Sequence, residues 1–484
     1  MNANINETRG FYKLSWVQRI GFGSGDLAQN LIYQTVSTYL AIFYTNVFGL
    51  SAGAAAAMIL VVRLIDVLWD PFVGAFVDKR SPKLGKYRTY LIFGGIPLTV
   101  FAILCYWNGL VGLENSFSFN VFGLKFALSH KLLYAYVTYV GLSMCYTLVN
   151  VPYGALNASL TRDTDEITKL TSVRMLMANI GGFAVQFGVP AFIQYLAPNH
   201  DWKQASAADA WFTVLLIFAV AGLVLLVFCF TQTKERVVME SSKTESVHYA
   251  DLFKEFIYNR PLRVLAFFFI TAFAMMAIGN TASSYYLGYN IGRDDIVPWF
   301  NGLGSIPAFI FLPMVPAIKR AIGKKQMFYV FLSIAIIGMA MLYVITVIPA
   351  LKSQIWLICV AQFIKSTGVI VATGYMWALV PEVISYGERK TGKRISGVVN
   401  ALTGIFFKAG FALGGAIPLL VLAVVKFDKD LPVQTPLAQQ GILWLMTIIP
   451  ALLLLLAMFI ISKYELDDDV IDKINREIEE GRAK

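Results

Sequence analysis

Residues 51–77 read SAGAAAAMILVVRLIDVLWDPFVGAFV, and the loop behind them, 78–88, reads DKRSPKLGKYR. A bilayer span takes roughly 20 apolar residues, so the first stretch is long enough to cross a membrane and the second is a charged exit. Outward from this segment the pattern recurs. Apolar runs fall at 19–48, 51–77, 89–106, 132–158, 171–197, 209–231, 262–290, 296–318, 327–349, 355–385, 395–425 and 439–461. Twelve such runs predict an all-α polytopic membrane protein. Composition agrees: 57% of the 484 residues are AVILMFWYC and 14% are charged, against about 45–50% and about 25% in soluble domains.

Charge placement gives the orientation. With both termini in the cytoplasm, 29 of the 40 Lys and Arg fall in cytoplasmic segments, 7 in outer loops and 4 inside the membrane. That asymmetry is the positive-inside pattern of a multi-pass cell-membrane protein. The net charge of +10 therefore follows from topology and calls for no nucleic-acid partner. Cys105, Cys145, Cys229 and Cys359 lie in apolar runs and suggest neither a disulfide framework nor a thiolate metal site. His130, His200 and His248 sit in polar connectors, so proton chemistry inside the membrane falls to carboxylates. The polar opening MNANINETRGFYKLSW lacks the apolar core of a cleaved signal.

The loop 319–326, KRAIGKKQ, resembles in character the loop 78–88, and Gly85 and Gly323 stand 238 residues apart, close to half the chain. Equivalent loops at equivalent places predict two parallel six-helix bundles, 1–231 and 262–462, with a cytoplasmic central loop, 232–261, and a tail, 463–484. A substrate site near the midplane is expected of such a repeat. The tail, YELDDDVIDKINREIEEGRAK from 464, reads as a solvated helix.

A charge at mid-bilayer costs about 2.5–3.5 kcal/mol on insertion scales, so each needs a partner or a task. Asp26, Asn30 and Tyr33 follow an i, i+4, i+7 stripe on one helical face, and Arg63, Asp66 and Asp70 follow another. The fourth span carries Tyr146, Thr147 and Asn150, the fifth Arg174, the seventh Asn280, the tenth Lys365 and Trp377, and the eleventh Lys408. Two carboxylates one turn apart share a cation or hold a proton. The plainer alternative has Arg63 neutralising Asp66 while Asp70 reaches the interface. Lys408, deep in its span, is expected to face a polar cavity. Arg174 is open between a gate salt bridge and substrate binding, Lys365 between substrate and a carboxylate partner, and Asn150 and Asn280 between function and interhelical hydrogen bonding. Trp377 and Tyr33 offer aromatic faces on which a sugar's C–H groups rest.

At these residues the chain resembles the glycoside-pentoside-hexuronide:cation symporters of the major facilitator superfamily, the group of the melibiose, glucuronide and xyloside permeases. The likeness runs through GFGSGDLAQNLIY (21–33), FYTNVFGL (43–50), RLIDVLWDPFVGAFVDK (63–79), GKYR (85–88), GLSMCYTLVNVPYGAL (141–156), MWALVPEVISYGERKTGKR (376–394) and NALTGIFFKAGFALGG (400–415). It implies the major facilitator fold and secondary transport of a xyloside- or glucuronide-type glycoside with a cation by alternating access. No cofactor is implied beyond the co-transported H+ or Na+, and a monomer among membrane lipids is expected. The resemblance implies sugar binding for Asp26 and Arg174 with Tyr33 beside them, and the reading of polar and aromatic residues in the spans adds Asn30, Asn280 and Trp377 as substrate-binding candidates. The resemblance gives the cation to Asp66, Asp70 and Thr147, near Arg63 and Asn150, and puts Lys408 between sugar and ion. Asp78 with Lys79, Arg80 and Arg88 matches an inner-face latch. Where melibiose permeases carry a further aspartate, this chain has Asn150, and Trp69 replaces an asparagine; loss of a charged oxygen ligand disfavours Na+ more than H+. An uncoupled facilitator, a transporter-like sensor and a lysolipid transporter of the same fold are the competing readings. An enzyme is not expected, since the membrane interior holds no histidine and no evident nucleophile–base pair.

Overall fold

The computed structural model describes residues 10–109, 116–121, 124–198, 204–237, 250–293, 296–392, 395–427, 431 and 433–483. His200, His248 and 238–249 of the central connector lie outside the described residues. Helix α1 covers 16–47 and contains two π turns, Asn30–Gln34 and Phe43–Val47. After it come α2 (Ala52–Asp78), α3 (Thr89–Cys105), a hairpin of β1 (Ser116–Val121) and β2 (Leu124–Ser129), and α4 (His130–Leu160). The hairpin is antiparallel, with Ser116 opposite Ser129 and Val121 opposite Leu124. Next are α5 (Thr164–Leu196), α6 (Ala205–Gln232), a short α7 (Ala250–Tyr258), α8 (Arg260–Ile291), α9 (Trp299–Ile322) and α10 (Lys324–Val347). The chain finishes with α11 (Ile355–Thr391), α12 (Ser396–Val424), α13 (Pro436–Ser462) and α14 (Asp468–Ala483).

Among the described residues nine helices are long and apolar enough to cross a membrane: α4, α5, α6 and α8 to α13. Helices α1, α2 and α3 occupy the first three of the twelve apolar runs. Local signals start several of them. Ser15 and Gln18 form a reciprocal capping box before α1, and Ser51 caps α2 by accepting from Ala54 N at 3.3 Å. Helix α11 continues past its apolar run to Thr391, ending at Gly392 with φ +70°, because a glycine takes the left-handed conformation that closes a helix.

The described chain forms two compact units. Unit A comprises 14–160 and the described part of 177–249; unit B comprises 10–13, 161–176 and the described residues from 250 on. Glycines set the close approaches in each. In unit A a Cβ on Gly25 would stand 2.4 Å from the Tyr153 ring, and Tyr153 donates its hydroxyl to Phe22 O at 2.7 Å. Helix α1 thus rests directly on α4, and the residue after the glycine is Asp26. In unit B, Cβ atoms on Gly410 and Gly414 would stand 2.7 Å from Ile270 O and 2.3 Å from Ala274 O. That seam packs α12 against α8 and fixes Phe407 and Lys408 just ahead of it.

The tail is not a solvated helix. Its Ile471 and Ile474 are each 1% exposed, buried on one face of unit B by their spacing of three, and its charged residues enclose cations. Arg162, 1% exposed, reaches Glu388 at 3.2 Å and Glu479 at 2.6 Å, while Asn475 donates to Arg162 O at 3.2 Å. Lys324 Nζ lies 2.8 Å from both oxygens of Glu382 and 3.0 Å from Asp468. Lys319 bridges Asp468 at 2.7 Å and Asp165 at 3.3 Å. Helix α14 thus takes part in two ion networks, one with Arg162 and the end of α11, the other with the start of α5, the end of α9, the start of α10 and Glu382 of α11. The signal for it was present in the tail as apolar residues at 471, 474 and 478.

Candidate cation and sugar site

The aspartates read from the α2 stripe and Thr147 of α4 meet in unit A. Asp66 and Asp70 are 2% and 3% exposed. Thr147 Oγ1 lies 3.2 Å from Asp66 Oδ1 and 3.0 Å from Asp70 Oδ1. A hydroxyl has one proton to donate, so Thr147 serves either carboxylate, one at a time. Ser143, one turn earlier on the same face, donates to Asp66 Oδ1 at 2.9 Å. Sequence reasoning passed over Ser143, although its i−4 spacing from Thr147 was the available signal. Asn150, among the described contacts, makes no hydrogen bond to either aspartate. Trp69, between the two, donates Nε1 to Met144 O at 3.3 Å and pins α2 to α4 at this level.

Arg63 Nη1 donates to Tyr33 Oη at 3.2 Å. Tyr33 stacks on Tyr146 with ring centroids 3.7 Å apart and planes at 12°. Tyr33 projects from the π turn Asn30–Gln34, where the widened backbone is a frequent mark of functional positions. Asn30 donates to the backbone carbonyl of Asp26 at 2.9 Å, so its amide supports the helix near Asp26. Asp26 itself is 8% exposed.

Arg174, Asn280, Trp377 and Lys408 belong to unit B. Arg174 lies over the Trp377 ring, 5.5 Å from its centroid. Phe269 holds that ring edge-on at 4.9 Å, and Phe273 at 6.2 Å. Phe407, beside Lys408, is 4.4 Å from Phe273, which gives an aromatic corner carrying a cation. Asn280 accepts from Ser283 through its main-chain carbonyl at 2.9 Å and is exposed. Lys365 is 9% exposed, its ammonium 5.8 Å from the Phe300 centroid.

At the 78–88 loop Asp78 accepts from Tyr87 Oη at 2.8 Å and meets Lys86 at 3.7 Å. Arg80 lies over the Phe76 ring at 4.3 Å, and Arg88 donates to Thr233 O at 3.0 Å. The organiser is Glu235, which sequence reasoning missed: it accepts from the backbone N–H groups of Lys86, Tyr87 and Arg88 at 2.9, 2.8 and 2.8 Å. Gly85, at φ +123°, makes room for it, since a Cβ there would stand 2.9 Å from Glu235 Oε1.

A family model described as MFS/sugar transport protein matches residues 21–468. The chain belongs to this family. It is a family of membrane transporters and not of enzymes. The chain is 45% identical over 468 residues to an uncharacterised symporter of Bacillus subtilis, covering 96% of this chain and 95% of that protein. It is 31% identical to a glucuronide carrier protein homolog of Escherichia coli, covering 96% of each. An isoprimeverose transporter of Lactiplantibacillus pentosus is 28% identical, over 84% of this chain and 80% of its own length. Among solved structures the fold is similar to a proton:xylose symporter (TM-score 0.63, 14% identity, covering 93% of this chain and 96% of that one). It is also similar to FucP in its outward conformation (TM-score 0.66, 10% identity, 93% and 98%). This is the major facilitator fold, with twelve membrane helices in two six-helix bundles.

Chemically, the α2–α4 cluster sets two buried carboxyl groups beside two hydroxyls, so its lining is hard oxygen. Among the described residues no group of three or more His, Cys, Asp and Glu is arranged for a metal ion.

Proposed function

We propose that the protein is a secondary active transporter of the cell membrane that imports a xyloside- or glucuronide-type glycoside together with a cation, H+ in preference to Na+. The observation that carries this reading is the buried Asp66–Asp70 pair with a threonine hydroxyl within 3.2 Å of both. Two carboxylates out of water are tolerated only with a compensating positive charge, and filling and emptying that requirement couples an ion gradient to conformational change. H+ preference is supported by the neutral side chain of Asn150 on α4, since a further carboxylate oxygen there would favour Na+. The glycoside class is supported by the names of the glucuronide carrier homolog and the isoprimeverose transporter.

In this reading Asp26, Asn30, Tyr33, Arg174, Asn280, Trp377 and Lys408 bind the sugar, and Asp66, Asp70, Thr147, Asn150 and Arg63 form the ion-coupling group. Asp78, Arg80 and Arg88 belong to a latch. Bundles 1–231 and 262–462 alternate access, and both termini lie in the cytoplasm. The test is uptake of labelled glycosides into vesicles containing the protein, with imposed H+ or Na+ gradients. An inward H+ gradient is expected to drive accumulation above equilibrium. Uptake that equilibrates without responding to either gradient overturns coupling.

A further inference from the structure

We infer that Ser143 is an ion ligand and decides whether Na+ can stand in for H+ at the Asp66–Asp70 pair, an inference that rests on the cation coupling proposed above. A proton needs one carboxylate oxygen. A bare alkali cation that has shed its water needs several hard oxygens around it. The oxygens joined here are Asp66 Oδ1, Asp70 Oδ1 and the hydroxyls of Ser143 and Thr147, in a network of 2.9–3.2 Å, and each carboxylate carries a second oxygen beside it. Ser143 is 2% and Thr147 1% exposed, so the two hydroxyls stand where solvent has little access. Without Ser143, a single hydroxyl remains on the α4 side.

The two hydroxyls also let the same residues serve the empty and the filled site. With no ion, each hydroxyl donates to a carboxylate and offsets part of its charge. When a cation enters, rotation about Cβ–Oγ turns the proton away and presents a lone pair, with no movement of backbone. The local fold makes this alignment: Ser143 and Thr147 are one turn apart on α4, Asp66 and Asp70 are one turn apart on α2, and Trp69 bonded to Met144 O at 3.3 Å holds the register. Asn150 lies a further turn along α4.

The experiment compares wild type, Ser143→Ala, Ser143→Cys and Ser143→Thr. Cysteine is close to serine in size but places a soft sulfur where a hard cation wants oxygen; threonine restores the hydroxyl. Two readouts are used. The first is the ratio of Na+-driven to H+-driven glycoside uptake in vesicles. The second is the rise in melting temperature of the purified protein, without sugar, as NaCl replaces KCl at constant ionic strength, since a ligand bound only by the native state stabilises it. Wild type is expected to respond to Na+ in both. Ser143→Ala and Ser143→Cys should need at least tenfold more Na+ for the same stabilisation and show at least a tenfold lower uptake ratio, with Ser143→Thr close to wild type. A wild type driven by H+ but indifferent to Na+ overturns the inference and leaves the proposed function standing, as does an unchanged Na+ response in the alanine and cysteine variants. Accumulation driven by neither ion removes the proposed function as well.

Discussion

Asp66 and Asp70 carry the strongest expectation at the scale of single residues. Replacing either with Asn keeps the shape while removing the charge that, in the proposed coupling, an ion compensates. Asp66→Asn or Asp70→Asn is expected to abolish uphill accumulation in vesicles while downhill glycoside exchange partly survives. Full accumulation in both variants would sink the coupling role. Asp26 is the residue proposed to play the corresponding part for sugar. A carboxylate accepting two hydroxyl hydrogen bonds gains about 1.5–3 kcal/mol from each, and each 1.4 kcal/mol is about a factor of ten in affinity. Asp26→Ala should weaken glycoside binding at least tenfold, measured by calorimetry on purified protein, with a smaller effect on ion binding. All three aspartates were legible because a carboxylate in an apolar run is costly wherever it lies. Ser143 was not, because a serine in a membrane helix is ordinary until its partner is known.

Elements respond as units where charges on several helices meet. Lys324 and Glu382 are 5% exposed each, and removing one partner of a buried pair leaves the other uncompensated, at a cost of about 3–5 kcal/mol. Lys324→Ala should therefore lower the melting temperature in detergent strongly. Lys325 pairs with Asp467 at 3.6 Å near the surface, and Lys325→Ala should cost under about 1 kcal/mol. Equal effects from the two variants would show that the cluster around α14 contributes no more than surface pairs. The same helix has a pH signature. Burial works against ionised Asp468, but Lys324 and Lys319 outweigh it and hold the carboxyl below its ordinary value. A depressed carboxyl contributes stability that is complete above the unfolded value of about 3.9 and is lost as pH falls through the lower folded value. Asp468→Asn should thus lower the melting temperature at pH 7 and converge on wild type in the acid limb below about pH 4. A gap between the two curves that stays constant down to that limb would contradict the assignment. The helix itself was readable from its sequence; its burial was not, because the apolar stripe of three isoleucines is diluted by flanking charge.

Whole-molecule sidedness is proposed from the charge distribution. With 78–88 and 319–326 on the cytoplasmic side, single cysteines at Ser81 and Arg320 in a cysteine-free background should respond alike to a membrane-impermeant reagent added to sealed cells or inverted vesicles. Opposite accessibility refutes the two-repeat orientation. Span limits agree with the apolar runs within a few residues where charge stops the helix abruptly: 132–158 became His130–Leu160 and 439–461 became Pro436–Ser462. They differ where a charged segment continues a helix, as at 355–385, which extends to Thr391. Hydrophobic patterning reports the bilayer crossing and is silent on helix that emerges from it.

By itself the sequence determined that this chain is a twelve-span transporter whose membrane interior concentrates charge on a few helical faces. Apolar length, positive-charge asymmetry and the 3.6-residue period are local or summed properties, written along the chain. The tertiary structure decided the partners: Ser143 on Asp66, Tyr33 on Arg63, Glu235 on the backbone of 86–88, and Arg162 among the carboxylates of α11 and α14. Each joins residues at least 30 positions apart. Which of several equally suitable side chains meets a given charge depends on the axial register and rotation of packed helices, which glycine contacts and single side-chain bonds such as that of Trp69 set only after the helices have come together.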